Sequence, residues 1–479
     1  MNPRQDFNED TEQALGPALF SFNSLTTLCE DETINKHGSD AKATPSTSEP
    51  RLHESSDGSI STYSPVTWDG PEDPENPKNW DRRQKWTTSL IISSFAFLSP
   101  LSSSIAAPAL GPISHDLHIT NEVERQLVLS IFLLTYALGP FMGSGVLADC
   151  WKPEERGKGI AFMQFAPILG LAVGPIAGGY ISQYATWRWT FWSVVILNFT
   201  VQVIAFILLR ETYAPRLLHL KAKRLRKLYN DASIKTEWEK QERTLAVILK
   251  TSLSRPWIML ATQPIIQSLA LYQAFNFGLL YLIITSFPRL WEHYYGMQKG
   301  QASLNYISIA VGALIGVLIS APTMDMIYQR LKRRRGIEKN EKGVPEFRIP
   351  LMVPASLLTP CGILLFAWTA QNKMHFMLPN VGIAITIGSS MVSYQCISAY
   401  IADCYALHTA SASAACCFMR SMFAFAFPLF VPALFRNLGY GLGGSLLAII
   451  AVVIGVPAPL LLWRYGAKLR TLSKFGVAE

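Results

Sequence analysis

Beyond residue 85 the chain repeats, again and again, apolar runs of about 20 residues with almost no charge, each near the length that crosses the hydrocarbon core of a bilayer. They fall at roughly 86–113, 127–148, 159–182, 190–210, 257–287, 303–326, 349–370, 377–402, 410–434 and 442–463, which makes about ten. Lipid offers no hydrogen bonds, so a run this apolar spans as a helix whose backbone groups satisfy one another. The expected fold class is an all-α polytopic membrane protein. Of the 479 residues, 49% are hydrophobic and 16% charged, which fits that class and no soluble one.

The net charge of +8 sits mostly in short connections. Lys152, Arg156 and Lys158 follow the second run, and Lys221, Lys223, Arg224, Arg226 and Lys227 the fourth. Arg330, Lys332, Arg333, Arg334 and Arg335 follow the sixth, and Arg464, Lys468, Arg470 and Lys474 the last. The alternate connections carry one or two basic residues each. About ten spans with both termini cytoplasmic satisfy the positive-inside rule, and nucleic acid is excluded as a partner. Residues 1–84 are polar and aperiodic and read as a disordered cytoplasmic tail. Residues 85–210 form a four-span half, 211–256 a central cytoplasmic loop, 257–465 a six-span half and 466–479 a short tail. In the central loop, LLHLKAKRLRKLY has the spacing of an amphipathic helix on the inner membrane surface.

Gly170, Gly174 and Gly178 share one helix face, where a neighbouring helix can come very close. Pro175 removes a backbone donor and bends the helix beside that face, Gly179 follows, and Trp187, Arg188 and Trp189 form an interfacial cluster. The string GLAVGPIAGG followed by WRW resembles the antiporter motif on the fifth helix of major facilitator drug efflux proteins, although Ala161 stands where that motif usually begins with glycine. DPENPKNW at 73–80 is similar to the D-P-x-N-P-x-N-W signature before the first span of many fungal efflux transporters. With ADCWKPEERGKG, PEFRIPLMVPASLLTP, SAYIADCY and FMRSMFAFAFPLFVPALF, the chain resembles a fungal major facilitator protein of the drug:proton antiporter type over about residues 73–474. The resemblance implies two helical halves around a central cavity, and proton-driven efflux.

One departure is large. Tyr136-Ala137-Leu138-Gly139-Pro140, which resembles the family's second span, runs within ten residues into Gly145-Val146-Leu147-Ala148-Asp149, which resembles the end of its fourth. The family's signature loop, third span and most of its fourth span have no counterpart, giving about ten spans instead of twelve. The excision joins two spans of the same direction, so the downstream topology is preserved. In the family, the missing loop latches the halves together, and a membrane arginine near the proton pathway is lost with the fourth span.

Arg420 lies about ten residues into its span, where a charge is costly unless it faces protein or water. It reads either as a cavity residue or as a structural arginine. Tyr136, Gln164, Gln273, Asn276, Tyr394 and Gln395 are polar or aromatic groups inside spans. They are cavity candidates or interhelical clasps. Asp149, Asp325 and Asp403 sit at the cytoplasmic ends of spans, and 86–113 holds no acidic residue. The three are candidates for proton coupling, or helix-end carboxylates paired to nearby basic residues.

No nucleotide-binding G-x-x-x-x-G-K-[ST] loop, G-x-S-x-G elbow or H-E-x-x-H pair occurs, so neither an ATP-driven pump nor an enzyme is expected. His115, Asp116 and His118 read as a solvated loop, and no metal or cofactor is expected. The seven cysteines have no metal or disulfide spacing. The expected function is secondary transport, with efflux of a small hydrophobic compound leading. Uptake or polyamine export, and a truncated paralogue without transport, stand as alternatives. The expected setting is a monomer in the plasma membrane, with the vacuolar membrane as the alternative, and protons as coupling ion by resemblance.

Overall fold

The computed structural model describes residues 66–70, 72–136, 156–212, 214–229, 236, 245–337, 343–405 and 408–471. The N-terminal half comprises α1 (Arg82–Ser104), α2 (Leu110–Asp116), α3 (Glu122–Tyr136), α4 (Arg156–Tyr184) and α5 (Arg188–Leu208). The connecting helix α6 (Ala214–Tyr229) follows. The second half contains α7 (Leu245–Thr262), α8 (Pro264–Pro288), α9 (Lys299–Leu304), α10 (Ile307–Arg334), α11 (Met352–Gln371), α12 (Met377–Cys404), α13 (Thr409–Gly455) and α14 (Pro457–Thr471). Gly439, at φ 71°, breaks α13 into two spans. Nine helices among the described residues are long and apolar enough to cross a membrane. The tenth expected run, 127–148, begins in α3 and passes out of the described residues after Tyr136.

The helices alternate between a basic end, where α1 begins, and a far end, where α1–α2 finish. The glycine face of α4 packs directly on the backbone of α1. A Cβ on Gly170 would fall on the Phe97 carbonyl, one on Gly178 on the Ile105 carbonyl, and one on Gly174 at 2.8 Å from the Leu101 carbonyl oxygen. The pairs 170/97, 174/101 and 178/105 advance together, so α1 and α4 run parallel in a fixed register. The second half uses the same device. Gly312 and Gly316 of α10 lie against the backbone of Ala384 and Gly388 of α12, and Gly362 of α11 meets Gly382 of α12. Small residues let helices approach where burial from water supplies no driving force.

Two apolar clusters form the core. One joins both halves, with Ala106, Leu110, Leu129, Leu133 and Leu171 packed among Leu279, Phe287, Trp291 and Tyr306. The other, at the basic end, is built from residues 259–462 of the second half, including Met259, Ile349, Tyr400 and Tyr405. By contrast, only 6% of the apolar window of α5 is buried.

Residues 73–80, the signature before the first span, form a turn and a short 3₁₀ helix, Pro77–Asn79. Asp73 organises the turn. Its carboxylate accepts the backbone N–H of Asp69 (2.9 Å) and of Glu75 (2.8 Å), and Asn79 Nδ2 donates to the Asp73 carbonyl at 3.0 Å. This turn docks on α6. Lys221 Nζ lies 3.2 Å from Asp73 Oδ2 and 2.7 Å from Asp69 Oδ1, and Arg224 reaches Glu75 at 2.9 Å. Leu218 and Ala222 on the same face of α6 are buried. The amphipathic face that the sequence assigned to the membrane surface is therefore packed at least in part on protein.

Burial opposes ionisation of Asp73, but the two N–H donors and the Lys221 ammonium outweigh it and hold the carboxyl below its ordinary value of 3.8. Burial likewise opposes the Lys221 charge, and Asp69 and Asp73 outweigh it, raising its value above 10.5. The depressed carboxyl contributes docking that is lost as pH falls below 3.8 through its folded value. The raised amine contributes docking that is lost as pH rises above 10.5 through its folded value. Docking is therefore expected to be constant across the neutral range. Lys221→Met is expected to cost the docked segment about 1–3 kcal/mol by removing the charged bonds to Asp69 and Asp73. Faster tryptic cleavage after Lys78 and Arg82 measures it. Lys221→Arg, which keeps the cation beside Asp69 and Asp73, should keep most of the protection.

Candidate functional site

Mid-depth in the second half, α8 and α12 face one another across a cavity of about 20 Å³. Gln273, Asn276, Phe277 and Leu280 line it from α8, and Ile387, Ser390, Met391, Tyr394 and Ile397 from α12. Gln273 and Asn276 fall on one face because they are three residues apart. Asn276 is held on both sides: its Nδ2 donates to the Tyr272 carbonyl at 3.0 Å, and its Oδ1 accepts Ser390 Oγ at 3.1 Å. In this state it acts as a clasp between helices. The cavity has room for about one water.

Arg420 reaches this site from α13. It is 7% exposed. Its Nη1 donates to Tyr394 Oη at 3.1 Å and its Nη2 to Cys417 Sγ at 3.0 Å. The guanidinium lies 4.5 Å from the centre of the Phe277 ring and 5.6 Å from that of Tyr394. A buried cation on aromatic faces gains attraction from their quadrupoles, and such a wall suits flat, apolar or weakly charged solutes. The fold thus brings together Gln273, Asn276, Tyr394 and Arg420. Gln395, the next residue on α12, does not line the cavity. The side chains of Tyr136 and Gln164, and all of Asp149, lie outside the described residues. Phe277, Ser390 and Met391 escaped the sequence reading because an apolar residue or serine in a membrane run carries no mark of which way it faces.

Asp325 and Asp403 meet at the basic end on one partner. Arg348 Nη1 lies 3.0 Å from Asp325 Oδ1, and Arg348 Nε 3.0 Å from Asp403 Oδ2. The Arg348 side chain is 8% exposed, those of Asp403 and Asp325 16% and 63%. Tyr328 stacks beneath the guanidinium at 4.2 Å. Next to it Arg470 Nε pairs with Glu346 Oε1 at 3.1 Å. Both aspartates pair with a basic residue, Arg348, which carries no mark in the sequence; Asp403 stands at the end of α12, but Asp325 lies within α10, which continues to Arg334.

The Trp187–Arg188 pair also has a specific partner. Trp187 Nε1 donates to Asp116 Oδ2 at 2.8 Å, and Arg188 lies 3.4 Å from the same oxygen. The cluster staples the α4–α5 connection to the end of α2. Asp116, read from the sequence with His115 and His118 as a solvated loop, ends α2 and is engaged by these two side chains.

Several contacts cross between the halves towards the far end. Glu122, at the start of α3, pairs with Arg289 at 3.7 Å and Arg436 at 3.5 Å. Gly300 N–H donates to Gln183 Oε1 at 2.7 Å, and Ser103 Oγ and Tyr281 Oη share a hydrogen bond at 2.9 Å. Gly179 lies directly against Ser303. The glycine string of α4 therefore has two jobs: three glycines seat α1 within the half, and Gly179, about 100° round the helix, meets the other half.

Comparison with known proteins agrees with this architecture. The family model described as Major Facilitator Superfamily matches residues 142–415. The chain is 36% identical over 464 residues to the efflux pump vrtL of Penicillium aethiopicum, covering 86% of this chain and 91% of that protein. It is 42% identical over 331 residues to the probable efflux pump mfs2 of Aspergillus flavus, covering 69% and 77%. Among solved structures, the partially occluded inward open form of the xylose transporter XylE from E. coli superposes with a TM-score of 0.52 at 14% identity, covering 80% of this chain and 98% of that one. That likeness concerns the fold.

Proposed function

Since the chain belongs to the major facilitator superfamily, a family of multi-pass membrane transporters and not of enzymes, we propose that it exports small hydrophobic compounds, driven by protons, through alternating access. The observation that carries the reading is the cavity lined by Phe277, Tyr394, Gln273, Asn276 and Ser390 among apolar side chains, with the buried Arg420 packed against the two aromatic residues. Few, fixed polar groups in an apolar lining orient a hydrophobic solute. A drug-sized solute needs roughly 300–1,000 Å³, so loading requires α8 and α12 to part and the Asn276–Ser390 clasp to open.

The apolar cluster that joins the halves and the ion pairs of Glu122 hold the far end closed, while the basic-end cluster belongs to one half. With the basic end cytoplasmic, as the charge distribution favours, this is a state closed to the outside. Export then requires Glu122 to release Arg289 and Arg436. Asp403, largely enclosed against Arg348, and Asp325 remain the proton-coupling candidates, because protonation of either would free the arginine. Plasma membrane residence goes with this reading.

The test is loss of a fluorescent hydrophobic dye from pump-deficient cells expressing the chain, with and without a protonophore. Protonophore-sensitive loss that vanishes in Arg420→Ala is the expected result. Dye retention by cells whose membranes contain the chain would favour a second reading, a paralogue that binds solute without moving it. The sparse packing of α5 favours that reading. Glu122→Gln should weaken far-end closure and raise labelling of a cysteine placed at Ser103 by a reagent added outside.

A further inference from the structure

At the basic end, on the flank of the second half, α10, α11 and α14 enclose a groove of about 350 Å³. Its walls are apolar: Ile327 and Leu331 from α10, Pro350 and Val353 where α11 begins, and Leu460 and Trp463 from α14. Arg330 and Arg334 belong to the same lining. The four α10 residues step by three, one and three, so they share one face of that helix. Both arginines are exposed. The ion pairs found elsewhere at this end use Arg348 and Arg470, and neither Arg330 nor Arg334 makes a hydrogen bond or ion pair with a described residue.

We propose that this groove is a binding site for an anionic phospholipid, with the phosphate held by Arg330 and Arg334 and an acyl chain along Ile327, Leu331, Val353 and Leu460. Three features of the groove select that class over others. The two guanidinium groups, one helical turn apart, form a fork that matches phosphate oxygens. They follow the apolar run 303–326 of α10, which puts them at headgroup level once that run spans a bilayer, and the rest of the lining has the polarity of an acyl chain. Trp463 lies at the same level, as aromatic side chains do at the membrane interface. A free phosphate ion uses the arginines and leaves the apolar wall unused. A neutral phospholipid uses the wall and gains little from the arginines. The site is separate from the solute cavity between α8 and α12, so it does not depend on the export reading.

The experiment uses the full chain in mild detergent. Thermal unfolding is followed while phosphatidylserine, phosphatidylcholine or inorganic phosphate is added, and Trp463 fluorescence is followed with the two lipids carrying brominated acyl chains. Phosphatidylserine is expected to raise the unfolding temperature and to quench Trp463 at concentrations at which phosphatidylcholine does neither. Trp463→Phe, which removes the reporter, assigns the quenching. Arg330→Gln with Arg334→Gln should weaken the phosphatidylserine response on the order of thirtyfold, at about a factor of five per basic residue near a membrane surface. The exposed positions leave the variant's unfolding without lipid unchanged. Equal responses to the two lipids, or an undiminished phosphatidylserine response in the double variant, would overturn the proposal. An equal stabilisation by inorganic phosphate would also overturn it, by showing an anion site in place of a lipid site.

Discussion

Gly174→Leu is expected to abolish efflux and to destabilise the chain by about 3 kcal/mol or more, the upper range for overpacking a filled interior. The side chain has nowhere to go. Its first carbon would already stand 2.6 Å from Ser104 Oγ, 2.8 Å from the Leu101 carbonyl oxygen and 3.2 Å from Leu101 Cα. Two of those atoms are backbone of α1, so relief requires α1 and α4 to separate along a register that Gly170 and Gly178 also fix. Separation would also disturb Ser103, which bonds Tyr281 across the halves. Gly174→Ala should show the same defect in weaker form. Gly111→Leu is the control, because nothing lies within 4 Å of a Cβ there. Unfolding temperature of the detergent-solubilised chain, read beside dye efflux, checks all three, and a stable, active Gly174→Leu chain would refute the packing account.

Arg348→Met is expected to cost about 3–5 kcal/mol, the range for removing one partner of a buried ion pair. The cost falls mainly on Asp403, whose side chain is 16% exposed and would keep its charge without Arg348 beside it. Asp325, at 63% exposed, recovers solvation. Methionine keeps the stem and removes the guanidinium, including its stacking on Tyr328. Adding Asp403→Asn to Arg348→Met should recover a large part of the loss, and adding Asp325→Asn little. A double-mutant cycle on unfolding temperature separates these cases. Should Asp325→Asn give the larger recovery, the exposed carboxylate would be the energetic partner instead. The same variants bear on coupling: if protonation of Asp403 frees Arg348 during export, Asp403→Asn should uncouple dye efflux from the proton gradient before it reduces folding.

What the sequence determined follows from the solvent. Lipid forbids unpaired backbone groups, so apolar length alone sets the helices, and charge in the connections marks the basic end. Helical periodicity then placed Gly170, Gly174 and Gly178 on one face, and Gln273 and Asn276 on another. The extent of the apolar runs put Asp325 and Asp403 at the basic ends of spans and Arg420 within one; in the structure Asp403 stands beside the end of α12, whereas α10 runs on past Asp325 to Arg334. Tertiary structure decided which partner each face meets. Arg348 joins Asp325 and Asp403 from 23 and 55 residues away, and Lys221 captures Asp73 across 148. Glu122 draws two arginines from the other half. Periodicity encodes the direction a side chain points along its own helix. The partner it finds depends on how separate helices pack and on whether an opposite charge arrives at the same depth, and neither quantity is local in the chain.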